Sequence, residues 1–206
     1  MQRRTRSADR RIVLSYFMSL DGVVQAPGGR EEDTDGGFAH GGWSMPYFDE
    51  KVMGEFIGEA IATTQALLFG RRTWQVMADA WPDRAGADPF ADHMNAVPKY
   101  VASTTLTPDD MRWNTTLLPA DDVFGAIGRL RDEDGGDLHI MGSSNLSRQL
   151  VSRDLVDEYR VMIEPITLGG GKRGFPDDGR ARPLELMSTA TTSTGVLVCT
   201  YRPAKQ

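Results

Sequence analysis

Runs of apolar and β-branched residues alternate along this chain with segments whose apolar positions recur every three to five residues, the pattern of an α/β domain. Residues 12–20 (IVLSYFMSL) read as the first strand, stopped by Asp21-Gly22, a dipeptide suited to a turn. Residues 46–64, with Phe48, Val52, Phe56, Ile57, Ala60 and Ile61, predict a helix with one buried face. A short central strand over 66–69 ends at Gly70 and runs into a helix over 71–79, with a break at Pro82. Further strands are predicted over 99–103, 115–118 and 138–141. Helices are predicted over 123–131 and 145–152, and the tail supplies strands over 159–167, 184–191 and 196–201. Residues 26–42 hold six glycines and four acidic residues with little to bury, so they read as a mobile loop placed like a lid beside the first strand.

Composition narrows the class. A length of 206 residues suits one domain, 40% hydrophobic and 25% charged are ordinary globular values, and no segment approaches the roughly 18 apolar residues of a membrane span. Residues 1–11 read as a flexible basic arm and 12–206 as a single domain. The arm carries five arginines against Asp9, formally +4; the total of −6 therefore leaves −10 for the rest, which argues against a nucleic-acid-binding body. The arm lacks the apolar core of a secretory signal. The single cysteine, Cys199, suits a reducing, cytoplasmic compartment and reads as a buried strand residue. The three histidines show no ligand spacing, so no metal site is expected.

Two segments share one design, a short apolar strand that ends in glycine and opens into a helix: Gly70-Arg71-Arg72-Thr73 and Gly142-Ser143-Ser144-Asn145-Leu146. Such turns aim free backbone amides and the positive end of a helix at one point, a setting for a phosphate group; equally, the glycines serve only to close strand-to-helix turns. Arg71 and Arg72 add forked donors suited to the 2′-phosphate of NADPH, and Ser103 and Thr104 end a third strand with hydroxyls. Neither turn is a G-x-G-x-x-G or a G-x-x-x-x-G-K-[ST] loop. The glycine run Leu168-Gly-Gly-Gly-Lys-Arg-Gly-Phe175 reads equally as a ligand loop or a flexible hairpin. Candidate proton donors are Asp21, Asp49, Glu50 and Glu55; the four tryptophans read as packing residues, with Trp43 placed to close over a flat ring.

The order of Ser19-Leu-Asp-Gly22, Leu68-Phe-Gly-Arg-Arg-Thr-Trp74, Tyr100-Val-Ala-Ser-Thr104, Ile140-Met-Gly-Ser-Ser-Asn-Leu146 and Pro165-Ile-Thr-Leu-Gly-Gly-Gly-Lys-Arg173 resembles the dihydrofolate-reductase-like superfamily. The closer likeness is to the branch that holds the C-terminal reductase domain of riboflavin biosynthesis. The resemblance implies a three-layer α/β/α fold with a mixed, mostly parallel central sheet, NADPH as cofactor, and hydride transfer to a small nitrogen heterocycle of the aminopyrimidine or pterin kind. It also implies a homodimer. On this basis Gly70 to Thr73 with Ser103 and Thr104 hold the adenosine-phosphate side, Gly142 to Leu146 contact the pyrophosphate and nicotinamide half, Tyr16, Met18 and Asp49 face the substrate, and Asp21 or Glu55 serves proton transfer. Three departures stand out: Gly54, with Glu55 beside it, falls near the place of the helix acid of true dihydrofolate reductases, no zinc-deaminase motif is present, and Ser144-Asn145 replaces a glycine after Gly142. A non-catalytic NADP(H)-binding module and a true dihydrofolate reductase are the alternatives.

Overall fold

In the computed structural model, which describes residues 10–205, the period-two pattern of the first strand separates into two faces. In β1 (Ile12–Ser19), Ile12, Leu14 and Tyr16 join one hydrophobic cluster while Phe17 packs into another on the opposite face. The same division runs through β2 (Thr64–Gly70), where Ala66 and Leu68 face one way and Leu67 and Phe69 the other. Helices cover both faces. On one lie α1 (Val52–Thr63), α2 (Arg71–Ala80) and α3 (Pro89–Ala96), through Met53, Phe56, Ile61, Trp74, Ala78 and Met94. On the other lie α4 (Val123–Arg131) and α5 (Ser144–Ser152), through Ala126, Ile127, Leu130, Leu146, Leu150 and Val151.

The sheet has eight strands in the order β4-β3-β2-β5-β1-β6-β8-β7. Beyond β1 and β2 these are β3 (Lys99–Ala102), β4 (Thr115–Leu117), β5 (Asp137–Met141), β6 (Glu158–Glu164), β7 (Leu184–Thr191) and β8 (Leu197–Pro203). The pairings from β4 to β6 are all parallel, whereas β8 runs antiparallel to both β6 and β7. This is the mixed, mostly parallel α/β sheet that the sequence predicts.

Three local differences have physical causes. The helix expected from residue 46 begins instead at Val52: Met45–Tyr47 form a 3-10 turn, and the Asp49 carboxylate accepts the Val52 amide at 3.0 Å. α3 has too few apolar positions to show a period, yet Asp88 caps it by accepting from the Ala91 amide at 2.8 Å, with Pro89 at its first position. The folded unit begins before residue 12. Arg11 makes a bidentate pair with the buried Asp137 (2.9 and 2.7 Å) and reaches Glu158 at 2.9 Å, and the Arg10 amide donates to the Arg131 carbonyl at 2.9 Å, so Arg10 and Arg11 belong to the domain and not to the basic arm, whose residues 1–9 lie outside the described residues.

The 26–42 segment, expected to be mobile, is pinned from beneath. Lys172 pairs with Asp33 and Asp35, its amide donates to Gln25 Oε1 at 2.9 Å, and Trp43 Nε1 donates to the Gln25 carbonyl at 2.7 Å. The glycine run supplies the room for this contact. A Cβ on Gly171 (φ +121°) would stand 2.8 Å from both Phe38 and Val23, so this one glycine of the run is required for close packing beneath the loop, while Gly169 and Gly170 face open space.

Candidate active site

The geometry of the site follows from one crossing of the chain. β2 and β5 are parallel neighbours, but β2 continues into α2 on one face and β5 into α5 on the other, so a crevice opens at their carboxyl ends. Gly142 (φ +62°) and Ser143 (φ +54°) both take the left-handed conformation there, which turns the chain sharply into α5. Two hydrogen bonds stitch the turns together: the Gly70 amide donates to Ser143 Oγ at 3.0 Å, and the Ser143 amide donates to Thr73 Oγ1 at 3.2 Å. Neither α2 nor α5 has a side-chain cap, so their first-turn amides are left to meet another acceptor.

A groove of about 750 Å³ runs along this crevice and is lined by Gly70, Arg71, Arg72, Thr73, Ser103, Thr104, Ser143, Ser144, Asn145 and Leu146. Through Asp33, Arg72, Thr73 and Ser144 it joins a second cavity of about 430 Å³. That cavity is walled by apolar side chains of α1, α2 and α3 and floored by Ser15, Phe17, His139, Arg160 and Met162 from the sheet. An extended groove rich in amides and hydroxyls thus opens into an apolar cleft of the size that takes a small flat molecule.

Several polar side chains that line the cleft are tied to neighbours. His139 is fully enclosed, and burial together with the Arg160 charge, opposed by Asp137, lowers its pKa to about 4, so the ring is neutral at physiological pH. Arg160 is held by the Phe56 carbonyl at 2.8 Å and by Glu59 at 3.1 Å, with its guanidinium over the Phe56 ring. Ser44 lines the wall and donates to Glu164 Oε1 at 2.8 Å, while the Met18 amide donates to Glu164 Oε2 at 3.1 Å. Glu164 has 0% of its surface exposed and no ion pair among the described residues; burial, only partly offset by these bonds, raises its pKa to about 7.

A family model for the RibD C-terminal domain matches residues 10–198. The chain belongs to that family. The domain is 26% identical over 199 residues to the uncharacterized protein YyaP of Bacillus subtilis (strain 168), covering 93% of this chain and 94% of that one. It is similar in fold to a putative riboflavin biosynthesis protein from Shewanella sp. PV-4, with a TM-score of 0.69 and 16% identity, covering 95% of this chain and 99% of that one. A dihydrofolate reductase from Enterococcus faecalis complexed with NADP(H) and RAB-propyl gives 0.60 at 16% identity, with coverages of 95% and 97%. A pyrimidine reductase-like protein from Corynebacterium diphtheriae gives 0.61 at 13% identity, with coverages of 96% and 93%. These likenesses establish the dihydrofolate-reductase-like fold of this RibD-type domain.

Ten of the eleven residues expected to hold a cofactor line the one groove, and Gly142 lines the adjoining cleft. Their side chains are not all free. Arg72 pairs with Asp35 at 2.6 Å and Asp33 at 3.5 Å, so it tethers the 26–42 loop, whereas Arg71 is exposed and makes no ion pair among the described residues. The Ser143 hydroxyl is spent on the Gly70 amide, and Ser103 Oγ closes its own turn by accepting from the amides of Thr105 and Leu106.

The expected substrate and proton-transfer residues fare differently. Asp21, Asp49, Glu55 and Met18 do not line the cleft. Asp21 accepts from Ser19 Oγ and from the amides of Leu168 and Gly169, which hold its pKa down to about 2; it is an ionised anchor for the glycine run. Asp49 accepts from the Val52 amide at the start of α1 and from Ser193, bonds that lower its pKa, and Glu55 is exposed to solvent. Tyr16 borders the cleft, but its hydroxyl donates to the Gly174 carbonyl on the opposite side of the sheet, where Met18 also packs. The cleft-facing residues of β1 are Ser15 and Phe17, in the other phase of the strand. Trp43 packs under its own loop, and Trp81 is the tryptophan that walls the cleft.

Sequence reasoning missed Glu164, His139, Arg160 and Ser15. A signal was present in β6, where Glu158, Arg160, Met162 and Glu164 occupy one phase and Tyr159, Val161 and Ile163 the other, so that polar residues share a face with the interior.

The raised carboxyl of Glu164 sets a pH dependence. The folded chain holds a proton there up to about pH 7, while the unfolded chain releases it near 4.5, so stability from this group falls as pH rises between those values. The unfolding free energy of the wild type relative to Glu164→Gln should fall by ~2–3 kcal/mol from pH 4 to pH 8. Urea titrations at several pH values measure this, and a pH-independent difference would contradict the assignment.

Proposed function

We propose that this RibD-type domain is an NADPH-dependent reductase that delivers a hydride to a small nitrogen heterocycle of the aminopyrimidine or pterin kind. The observation that carries this reading is the meeting of two uncapped glycine turns in one groove that opens directly into an apolar cleft. The donor set fits a phosphorylated dinucleotide: first-turn amides of α2 and α5 and the Ser144 and Thr104 hydroxyls lie along the groove, and the exposed Arg71 stands at its wall for a 2′-phosphate. NADPH, when bound, supplies the hydride. The chain's own residues orient the ring against the floor of the cleft, and the apolar walls exclude water. Proton supply falls to the Ser44–Glu164 pair: once Glu164 is protonated its O–H donates to Ser44 Oγ, and the Ser44 hydroxyl turns its own proton toward the cleft that Ser44 lines. Family membership and the NADP(H) complex of the Enterococcus reductase support the cofactor assignment.

The partner besides substrate is a second copy of this chain. All eight residues of β7, the edge strand of the sheet, are exposed, among them Leu184, Leu186 and Met187, and a strand edge of this kind pairs with its own copy about a two-fold axis. Analytical ultracentrifugation should read a dimer for the wild type and a monomer for Leu186→Lys; a monomeric wild type would overturn this. With one cysteine, buried in β8, the chain suits a cytoplasmic setting.

Titration with NADPH and NADH, followed by nicotinamide fluorescence and melting temperature, tests the cofactor reading. NADPH should bind the wild type and raise its Tm. Arg71→Ala should weaken NADPH by about five- to tenfold and NADH by less than twofold, since only the former carries the phosphate. Equal losses would remove Arg71 from the phosphate site, and absence of NADPH binding would overturn the reading.

A further inference from the structure

The floor of the cleft carries a chain of hydrogen bonds whose direction is fixed at its buried end. Thr64 Oγ1 lies 2.8 Å from the Ala60 carbonyl, and because a carbonyl only accepts, the single hydroxyl proton is committed there. His139 Nδ1, 3.1 Å from the same hydroxyl, must therefore carry the proton and donate to it. The ring is neutral, so Nε2 is left with a bare lone pair. Ser15 Oγ, 2.6 Å from Nε2, donates to it. With its proton spent inward, Ser15 presents only oxygen lone pairs to the cleft that it lines.

We propose that Ser15 is a one-way hydrogen-bond acceptor that determines substrate specificity: it admits a ring N–H or an amino group at that point and rejects a carbonyl or an N-alkylated edge. Thr64 and His139 are the positioning residues that set this polarity. The apolar Phe17, Phe56 and Met162 that share the cleft sharpen the choice, because an acceptor of the ligand set against the Ser15 lone pairs goes unpaired. Arg160, the Cα partner of Ser15 across β1 and β6, lines the same cleft with its guanidinium over the Phe56 ring, and the charge it keeps beyond its pairing with Glu59 favours an electron-rich atom near the donor. A heterocycle with an N–H beside a carbonyl meets both conditions. The inference rests on the reductase reading only in taking this cleft as the substrate's place.

The test has two arms. Nitrogen-15 spectra of the histidine rings, with His139 assigned by comparison with His139→Gln, should show Nδ1 protonated and Nε2 bare; Thr64→Val should alter that signature while the fold is retained. The opposite tautomer in the wild type would overturn the proposal. Calorimetry of the NADPH-loaded protein with lumazine and 1,3-dimethyllumazine should give a preference of about tenfold for the N–H compound, the effect of one hydrogen bond in a site built for it. In Ser15→Ala the preference should fall to about twofold or less through weaker lumazine binding. An unchanged preference in that variant, or no lumazine binding by the wild type, would overturn the proposal. NADPH binding measured alone reports the cofactor reading separately, and its absence would leave the histidine result standing.

Discussion

The parallel pairing of β2 with β5 is the constraint on which the site depends. Adjacent strands that send their helices to opposite faces cannot close the sheet edge between them, and the gap becomes a crevice lined by helix amides. The Gly70–Ser143 and Ser143–Thr73 hydrogen bonds hold the two turns in register. They consume the groups that would otherwise cap the helices, and the first-turn amides of α2 and α5 remain available at one place. The left-handed Ser143 carries a conformational cost of about 1 kcal/mol or more, which these two bonds offset.

A second layer of organisation comes from charge. Lys172 and Arg72 grip Asp33 and Asp35 from two sides, one from the glycine run and one from α2, so the glycine-rich segment becomes a wall shared by the groove and the cleft. Gly171 lets the run approach Phe38 of that wall, Gly174 lets it approach Tyr16 of β1, and the Asp21 carboxylate fixes the run from the other end. Exposed pairs of this kind contribute little singly; here four charged groups share one cluster with backbone hydrogen bonds around it.

The fold was legible because its strands and most of its helices carry strong periodicity; residues 123–131 and 184–191 match element for element. The groove was legible as well, since its residues lie in two contiguous motifs at strand ends. The cleft was not. Period two shows that Tyr16 and Met18 share a face, but which face the ligand meets depends on where α1 and α2 pack, a property of the whole sheet. Asp21 and Asp49 looked like free acids because, beside the local bonds from Ser19 and Val52, each holds distant partners, Leu168 and Ser193, about 150 residues away along the chain. Glu164 and His139 were overlooked because their chemistry arises from burial, which only the assembled sheet provides.

The central claim is that the crevice between α2 and α5 receives the cofactor. Two-dimensional amide spectra of isotopically labelled protein, recorded with and without NADPH, test it most directly. The largest shift changes should fall on Arg71, Arg72 and Thr73 and on Ser144, Asn145 and Leu146, with smaller ones at Thr104 and along the cleft. Changes concentrated elsewhere on the surface, with these six amides unmoved, would contradict it.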